Sequence, residues 1–400
     1  MSKTFQFGNG EWAIGKETVL AYNDENNNFK PLPFTFDRGS IATVVNKDGL
    51  IETVGIDEPR IDFLNNTKGH LLLEPSRQNI VTYSEDFSDS SWSKSQSSAT
   101  LSNITSPKGT QNVYKFTENT ASSKHQLFTT ISSYTELTIS FFAKKEERSF
   151  IAVEKSGWGN TIFNLNTGSV VSGTGDVIDF GNGWFRCSAS YTASPAQTQF
   201  YLILMQDSDT NNYQGDGNSG LYLWGIQAEV GSYATSYIPT SGQSGGVTRS
   251  AENIALTFPD NASFNSSNGF SLYGEFLTNG GSGTSVLAVQ FNGNTGYFGF
   301  GSNGTNWRAR VNNGTDNELH NSSASILSVG KLALSFDASG FSMYANGTSF
   351  ASGNTDISAI TSTENIFFRD NTEEFGSLQI RELKLYNDRL SDSELQALTS

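Results

Sequence analysis

The chain has 400 residues and a formal net charge of −15, and its single cysteine excludes an intrachain disulfide framework. Nucleic acids and anionic membrane surfaces would repel a chain this acidic, so neither is an expected partner. The 39 Gly favour short strands joined by tight turns, while 29 Phe, 14 Tyr and 6 Trp supply enough apolar area for two or three domain cores.

The first 78 residues have the least regular pattern. Residues 1–33 show no clear hydrophobic period, and their opening, MSKTFQFGNGEW, lacks the apolar core of a signal peptide. No run of about 18 apolar residues follows, so a membrane span is not expected. Residues 34–78 are interpreted as short strands and turns, with Asp48-Gly49 as a turn signal between Ile41–Val45 and Leu50–Val54.

A strand pattern then runs from residue 79 to residue 240. Leu137, Ile139 and Phe141 alternate with polar residues, which predicts a half-buried strand. The segment Phe200–Met205 is apolar at both parities, which predicts a strand buried on both faces. We expect Cys187 to be a small buried strand residue and not a nucleophile. Three further residues are predicted to lie in the core: Trp92, Trp184 and Trp224.

Residues 241–252 begin with small, uncharged residues (SGQSGG), which predict a flexible linker. Alternating apolar segments resume after it, and Asn313-Gly314 and Asn346-Gly347 are hairpin signals. Several short strands with turns between them predict a second sandwich over residues 253–400.

The C-terminal segment carries two local signals. Leu378 and Ile380 share one parity while Leu383 and Leu385 share the other, which predicts a β-bulge near Arg381-Glu382. The sequence Ser391-Asp392-Ser393-Glu394 is a capping box that predicts a short helix. Its apolar face would consist of Leu395 and Leu398.

Two parts of the sequence resemble known families. Leu383–Leu390 (LKLYNDRL) and the capped helix are similar to the closing strand of laminin-G-like, concanavalin-A-like domains, and this resemblance covers residues 253–400. The segments FTFDRGS (34–40), DGLIET (48–53), PRID (59–62) and HLLLEP (70–75) are similar to a string found in many phage virion proteins. Residues 79–240 look like a carbohydrate-binding-module-like jelly roll, in NIVTYSEDF (79–87), GWFRC (183–187) and GNSGLYLWGIQAE (217–229).

Sugar binding is the more specific functional hypothesis, because sugar rings pack on aromatic faces while polar side chains form hydrogen bonds with the sugar hydroxyls. Trp158 and Asn160 lie in a loop with small neighbours, Tyr213 lies in a polar loop, and Trp307 is followed by Arg308 and Arg310. The alternative for each aromatic residue is ordinary packing.

Other chemistry is less favoured. Oxygen-rich loops bind Ca²⁺, and the resemblance to carbohydrate-binding jelly rolls implies a possible structural Ca²⁺ at Asp207, Asp209 and Asp216, although the spacing fails the EF-hand pattern. Gly242–Gly246 fits G-x-S-x-G but lies in the predicted linker, without a strand-to-helix turn. Adjacent strand carboxylates such as Glu146 and Glu147 point to opposite faces, so they are not a natural catalytic pair.

The sequence therefore predicts an all-β chain with two β-sandwich domains. We expect an N-terminal attachment segment (1–33), a β-rich connector (34–78), a jelly roll (79–240), a linker (241–252) and a laminin-G-like sandwich (253–400). The resemblances imply a phage head-fibre, tail-fibre or capsid-decoration subunit, made in the host bacterial cytoplasm and displayed on the virion. It would be a homotrimer that binds other virion proteins through its N-terminal region and a host surface glycan. A decoration protein without ligand and a glycan depolymerase are the alternatives.

Overall fold

The computed structural model describes residues 3–15, 18–23, 28–155, 159–257, 269–278, 287–291, 296–312, 317–326, 328–354, 363–368, 377–386 and 388–400. These residues form strands and a single helix, which confirms the predicted all-β class. The first strands are β1 (Lys3–Gly8), β2 (Ala13–Gly15), β3 (Thr18–Asn23), β4 (Asn28–Asp37), β5 (Ala42–Val45), β6 (Ile51–Val54), β7 (Ile61–Asp62), β8 (His70–Leu73) and β9 (Arg77–Asn79).

The middle strands are β10 (Trp92–Ser95), β11 (Ser97–Ser102), β12 (Val113–Glu118), β13 (Ser122–Ser123), β14 (His125–Lys145), β15 (Phe150–Lys155), β16 (Gly159–Asn164), β17 (Ser169–Ser172), β18 (Gly175–Asp179), β19 (Trp184–Met205), β20 (Tyr213–Gln214), β21 (Gly220–Glu229) and β22 (Val247–Arg249). The remaining elements are β23 (Asn253–Thr257), β24 (Phe270–Thr278), β25 (Leu287–Phe291), β26 (Gly296–Ser302), β27 (Asn306–Asn312), β28 (Asn317–Ser325), β29 (Gly330–Asp337), β30 (Gly340–Ala345), β31 (Thr348–Gly353), β32 (Thr363–Phe368), β33 (Leu378–Tyr386) and α1 (Asp392–Thr399).

The chain divides into two compact units that do not follow the predicted boundaries. Unit 1 comprises Met1–Ile41, Val54–Pro75 and Ser250–Ser400, and unit 2 comprises Ala42–Thr53 and Ser76–Arg249. The difference arises because strands of the predicted attachment segment and connector pair with strands near the C-terminus. Unit 2 therefore consists of two segments that are inserted in the sequence of unit 1.

Unit 1 is a sandwich of two sheets. In one sheet, the order β31-β30-β29-β24-β33 is extended by β1 and β8, which pair end to end along the free edge of β33. The other sheet runs β2-β3-β4-β23-β32-β25-β26-β27-β28. Phe298 of β26 stacks on Phe336 of β29 at 3.9 Å between ring centroids, so the shared core lies between the sheets.

The N-terminal strands contribute directly to this core. Their buried side chains belong to the same apolar cluster as Leu383 and Leu385, and these are Phe7, Phe34, Phe36, Leu71 and Leu73. The sequence pattern does not reveal this, because β1 pairs with β33 and β4 pairs with β23, and each of these partners lies more than 200 residues away in the chain.

A buried charge cluster also joins the N-terminal segments to residue 252. Glu252 accepts hydrogen bonds from Arg60 Nη2 at 2.8 Å, from Arg38 Nη1 at 3.3 Å and from the backbone N–H of Glu74 at 2.7 Å. Arg60 also pairs with the Glu74 carboxylate at 2.9 Å. All four side chains are at most 3% exposed, so the two guanidinium groups and two carboxylates neutralise one another inside unit 1.

The local predictions at the C-terminus are confirmed. The register between β24 and β33 shifts where Glu275 pairs with Glu382 and Phe276 with Ile380, which leaves Arg381 as the bulged residue. Ser391 caps helix α1, and the reciprocal bond from the Ser391 backbone to Glu394 completes the capping box. At the hairpin between β30 and β31, Asn346 and Gly347 have φ values of 47° and 76°, as a tight turn of this kind requires.

Unit 2 is a jelly-roll-like sandwich built around two long strands, β14 and β19. One half of each contributes to the layer β10-β14-β19-β15-β16-β17, and the other half to the layer β11-β12-β21-β14-β19-β18. Register shifts around Tyr134 mark where β14 passes from one layer to the other. Trp92, Trp184 and Trp224 are buried as predicted, and burial raises the pKa of the Cys187 thiol.

The segment predicted as a flexible linker is held against the beginning of unit 2. The N–H of Gly242 donates to Thr82 O at 2.9 Å, Ser241 forms a β-bridge with Tyr83, and β22 pairs with β9. Small uncharged residues permit this path because Gly246 has a φ of 89° and a Cβ there would lie 2.0 Å from Asn79 O. Composition alone therefore did not distinguish a flexible linker from a closely packed strand.

Candidate functional site

A mixed aromatic and polar surface lies on the outer face of one layer of unit 2. Strand pairing places four residues in one row across four strands: Phe128 on β14, Tyr201 on β19, Glu154 on β15 and Asn160 on β16. Directly paired residues of antiparallel strands share a face, so these side chains point the same way. All four are half-buried. We call this row, together with Lys124, Thr130 and Gln199, the Tyr201 face.

The aromatic pair forms the centre of the Tyr201 face. The rings of Phe128 and Tyr201 lie 5.0 Å apart between centroids and are tilted by 34°. The Tyr201 hydroxyl donates to Gln199 Oε1 at 2.7 Å, and Gln199 Nε2 donates to Thr130 Oγ1 at 3.3 Å. These bonds fix the Tyr201 ring in position, so a half-exposed aromatic platform is bordered by amide and hydroxyl groups.

An ion pair lies beside the platform. Lys124 Nζ and Glu154 Oε2 are 2.5 Å apart. Lys124 immediately precedes β14 and Glu154 lies on β15, with β19 between those strands, so the ion pair spans the outer side of β19. The same face of β15 and β19 carries three apolar side chains that are at most 1% exposed: Ala152, Ile203 and Met205.

Two residues predicted from the sequence to bind sugar, Asn160 and Trp158, lie in or close in sequence to the strands of the Tyr201 face. Asn160 belongs to the central row of the Tyr201 face. Trp158 lies outside the described residues, within the connection between β15 and β16, the strands that carry Glu154 and Asn160. A sugar-binding role for Trp158 therefore stays a prediction, and Glu154 and Asn160, on the two strands that its connection joins, belong to the candidate site.

Tyr213 has a structural environment. It is 5% exposed, and its hydroxyl donates to Glu118 at 2.7 Å. Glu118 also accepts two bonds from Arg148, at 2.8 and 2.6 Å, and the Arg148 guanidinium lies over the Tyr213 ring. Burial and the nearby Glu118 carboxylate both raise the pKa of Tyr213. The ring thus packs within unit 2 and does not offer a face to a sugar.

Two of the three aspartates predicted to bind Ca²⁺ organise turns, and the third, Asp209, accepts a hydrogen bond from the Thr210 hydroxyl at 3.2 Å. Asp207 Oδ1 accepts from the N–H groups of Asp209 and Thr210, and Asp216 accepts from Asn218 and Ser219. The bonds from Ser219 and Asn218 lower the pKa of Asp216. Across the described ranges, no three His, Cys, Asp or Glu side chains are grouped so that they could hold a metal ion. These residues therefore do not fit a carboxylate-based Ca²⁺ site.

The remaining predicted residues lie in unit 1. Trp307 is fully buried, with its ring 6.1 Å from that of Phe276, so it belongs to the core. Arg308 and Arg310 point to the opposite face of β27 and are half-buried, as the alternation of the strand requires. The structure therefore does not combine Trp307 with the two arginines in one surface.

The sequence did not single out Phe128, Tyr201, Glu154 or Lys124. The apolar pattern of Phe200–Met205 predicts burial on both faces, and the structure corrects this for Tyr201, which is half-exposed. The available signal was the polar Gln199 two residues before Tyr201, which marks the same face as partly solvated.

A family comparison agrees with the fold of unit 1. Residues 250–396 match the laminin G family model described as the Concanavalin A-like lectin/glucanases superfamily. The fold of this region is concanavalin A-like. No curated protein sequence matches the chain. Among the described residues, no helix has the length and apolar character needed to cross a membrane.

Several solved structures are similar to part of the chain. The binding domain of botulinum neurotoxin DC, solved with rat synaptotagmin II, is 14% identical with a TM-score of 0.31, covering 37% of this chain and 40% of its own. A structure of botulinum neurotoxin type C, whose cell entry depends on interaction with two ganglioside molecules, is 13% identical with a TM-score of 0.31, covering 37% of this chain and 39% of its own. The CBM40 domain of Ruminococcus gnavus IT-sialidase, bound to α2,3 sialyllactose, is 19% identical with a TM-score of 0.28, covering 36% and 96%. The match thus spans about two fifths of the neurotoxin chains, and similarity at this level does not specify a ligand.

Proposed function

We propose that the protein is a non-enzymatic glycan-binding protein and that the Tyr201 face of unit 2 is its binding site. The observation that carries this proposal is the half-exposed Phe128–Tyr201 pair, held in a row with Glu154 and Asn160. Aromatic faces accept the C–H faces of sugar rings, and carboxylate and amide groups take the hydroxyls. A face that served packing alone would not need polar groups on both sides of the aromatic pair.

We further propose that the protein is displayed on a phage virion as a fibre or decoration subunit. This part of the proposal is supported by the resemblance of the segments at 34–40, 48–53, 59–62 and 70–75 to a string found in phage virion proteins. A homotrimer repeated over a particle would present many copies of the Tyr201 face. Multivalent display strengthens attachment by orders of magnitude without any new contact.

The proposal is tested by binding the protein, in multivalent form, to an array of bacterial surface glycans. Tyr201→Ala is expected to cost about 2 kcal/mol or more, a factor of about 30 in Kd, because it removes a central aromatic contact. Tyr222→Ala is the matched control, since Tyr222 is also half-buried on a strand of unit 2 but lies in the other layer.

Each alternative function predicts a different result. A decoration protein without ligand would bind no glycan on the array, and equal binding by the Tyr201 and Tyr222 variants would place the site elsewhere. A depolymerase would release oligosaccharides from the glycan during incubation, which mass spectrometry of the supernatant would detect.

A further inference from the structure

The Lys124–Glu154 pair is unusual for its position. Its two members come from either side of β19, and they lie on the face that also carries the buried side chains of Ala152, Ile203 and Met205. The Lys124 side chain is 35% exposed and that of Glu154 is 22% exposed. An ion pair with this much solvent contact contributes little to stability. The fold alone therefore gives little reason for a Lys and a Glu to meet at this position.

The pair presents a donor and an acceptor side by side. Lys124 Nζ carries three N–H donors, and the ionised Glu154 carboxylate accepts only. Two adjacent hydroxyls on a sugar ring can use both groups, one hydroxyl donating to Glu154 and its neighbour accepting from Lys124. Glu154 lies beside Tyr201 in the central row, so a ring packed on Tyr201 would have its edge near the ion pair.

We propose that Lys124 and Glu154 are specificity-determining residues of the Tyr201 face and select an uncharged saccharide with two adjacent free hydroxyls. This inference rests on the proposed glycan binding by the Tyr201 face. The pair itself has no net charge, so an uncharged polyol can join it without separating unlike charges. A carboxylated sugar near Lys124 would also approach Glu154, and like charges at an interface are a strong barrier to the wrong ligand. The net charge of −15 adds long-range repulsion of anionic glycans.

The test measures affinities of the full chain by isothermal titration or by competition on the array. The probes are neutral methyl hexopyranosides, their monodeoxy analogues, and glucuronic and N-acetylneuraminic acids. Lys124→Met and Glu154→Gln are each expected to weaken binding of the preferred neutral sugar by about 10–100-fold, because each removes a charge-assisted hydrogen bond. The deoxy analogue that lacks the hydroxyl bound by Glu154 should lose affinity for the wild type but bind the Glu154→Gln variant about as weakly as the parent sugar does.

The matched control is another half-exposed ion pair of unit 2. Lys115 and Glu147 are 2.8 Å apart with side chains 22% and 35% exposed, so Lys115→Met and Glu147→Gln remove a comparable pair away from the Tyr201 face. Both control variants should bind as the wild type does. Thermal unfolding of all variants confirms that unit 2 stays folded.

The outcomes separate this inference from the proposed function. If the wild type prefers anionic sugars, the ion pair does not determine specificity in the way proposed. The same conclusion follows if the Lys124 and Glu154 variants bind like the wild type while Tyr201→Ala binds more weakly. In both cases the proposal that the Tyr201 face binds glycans is retained. If the wild type binds no saccharide at all, glycan binding itself is refuted, and the inference with it.

Discussion

Replacing Glu252 with Ala provides a direct test of how unit 1 is held together. Glu252 is fully buried and contacts Arg60 through both carboxylate oxygens, at 2.6 and 2.8 Å, in addition to Arg38 and the Glu74 backbone. Burial lowers the pKa of Arg60, but Glu252 and Glu74 together raise it above its ordinary value, so the guanidinium stays charged. Removing Glu252 leaves two buried cations with one carboxylate between them.

Breaking a buried ion pair by deleting one partner costs about 3–5 kcal/mol, because the other charge stays buried without compensation. Unit 1 is a large unit, for which about 1 kcal/mol shifts Tm by roughly 2–4 °C, so Glu252→Ala should lower its Tm by roughly 6–20 °C. Differential scanning calorimetry of the full chain measures this, and the unit 2 transition should not move.

The control is an ion pair that lies in the same unit and is partly exposed. Arg381 and Glu275 are 3.7 Å apart with side chains 24% and 22% exposed. Glu275→Ala should cost about 1 kcal/mol or less, as exposed pairs do. A loss below about 1 kcal/mol for Glu252→Ala as well would refute the view that the buried cluster stabilises the attachment of residues 34–41 and 54–75 to the rest of unit 1.

Three further predictions follow from the same structure. A chain lacking residues 1–78 should aggregate or lose the cooperative unfolding of unit 1, as seen by gel filtration and circular dichroism, because the concanavalin A-like core loses Phe7, Phe34 and the other N-terminal side chains; a stable truncated unit 1 would contradict this. Trp307→Ala should destabilise unit 1 by about 3–5 kcal/mol in a denaturant titration and leave the glycan affinity of the folded protein unchanged. A loss of glycan affinity without a loss of stability would instead show that Trp307 belongs to the binding site. Burial raises the pKa of Glu118, but the hydrogen bonds from Arg148 and Tyr213 lower it further, so the net shift is below the ordinary value of 4.5. The ionised Glu118 therefore contributes its full stabilisation of unit 2 above pH 4.5, and this stabilisation is lost as the pH falls through the lower pKa of the folded state. Glu118→Gln should flatten the pH dependence of unit 2 unfolding in that acidic range, and an unchanged profile would exclude this role.

Sequence reasoning succeeded where the signal is local. The bulge at Arg381 follows from a change of parity within eight residues, and the cap at Ser391 follows from four consecutive residues. The burial of Trp184 and Trp224 likewise follows from the strand-like segments in which each lies. In these cases the residues that decide the structure are neighbours in the chain, so a short window contains the whole argument.

Sequence reasoning failed where the partner is distant. Nothing in residues 3–8 specifies that β1 will pair with β33, because β-pairing is determined by a free edge elsewhere in the fold. The sequence pattern does not predict the Tyr201 face, for a related reason. A run that is apolar at both parities does not reveal which of its members lies at the half-exposed position beside Phe128, and that depends on the register between β14 and β19.

The proposed attachment to other virion proteins now needs a test that truncation does not provide, because the N-terminal residues complete unit 1. The exposed large apolar side chains within residues 1–78 include Ile41 at 52% and Ile56 at 50%, and each directly follows a residue whose carbonyl accepts a hydrogen bond from Arg38. Asp substitutions there remove exposed apolar area without touching the core, so Ile41→Asp and Ile56→Asp should fold normally. If this surface docks on the particle, both variants should be depleted from purified virions, whereas Leu319→Asp, at a position 46% exposed outside this region, should be incorporated as the wild type is. Normal incorporation of both isoleucine variants would exclude this surface as the attachment site and leave the glycan-binding proposal unaffected.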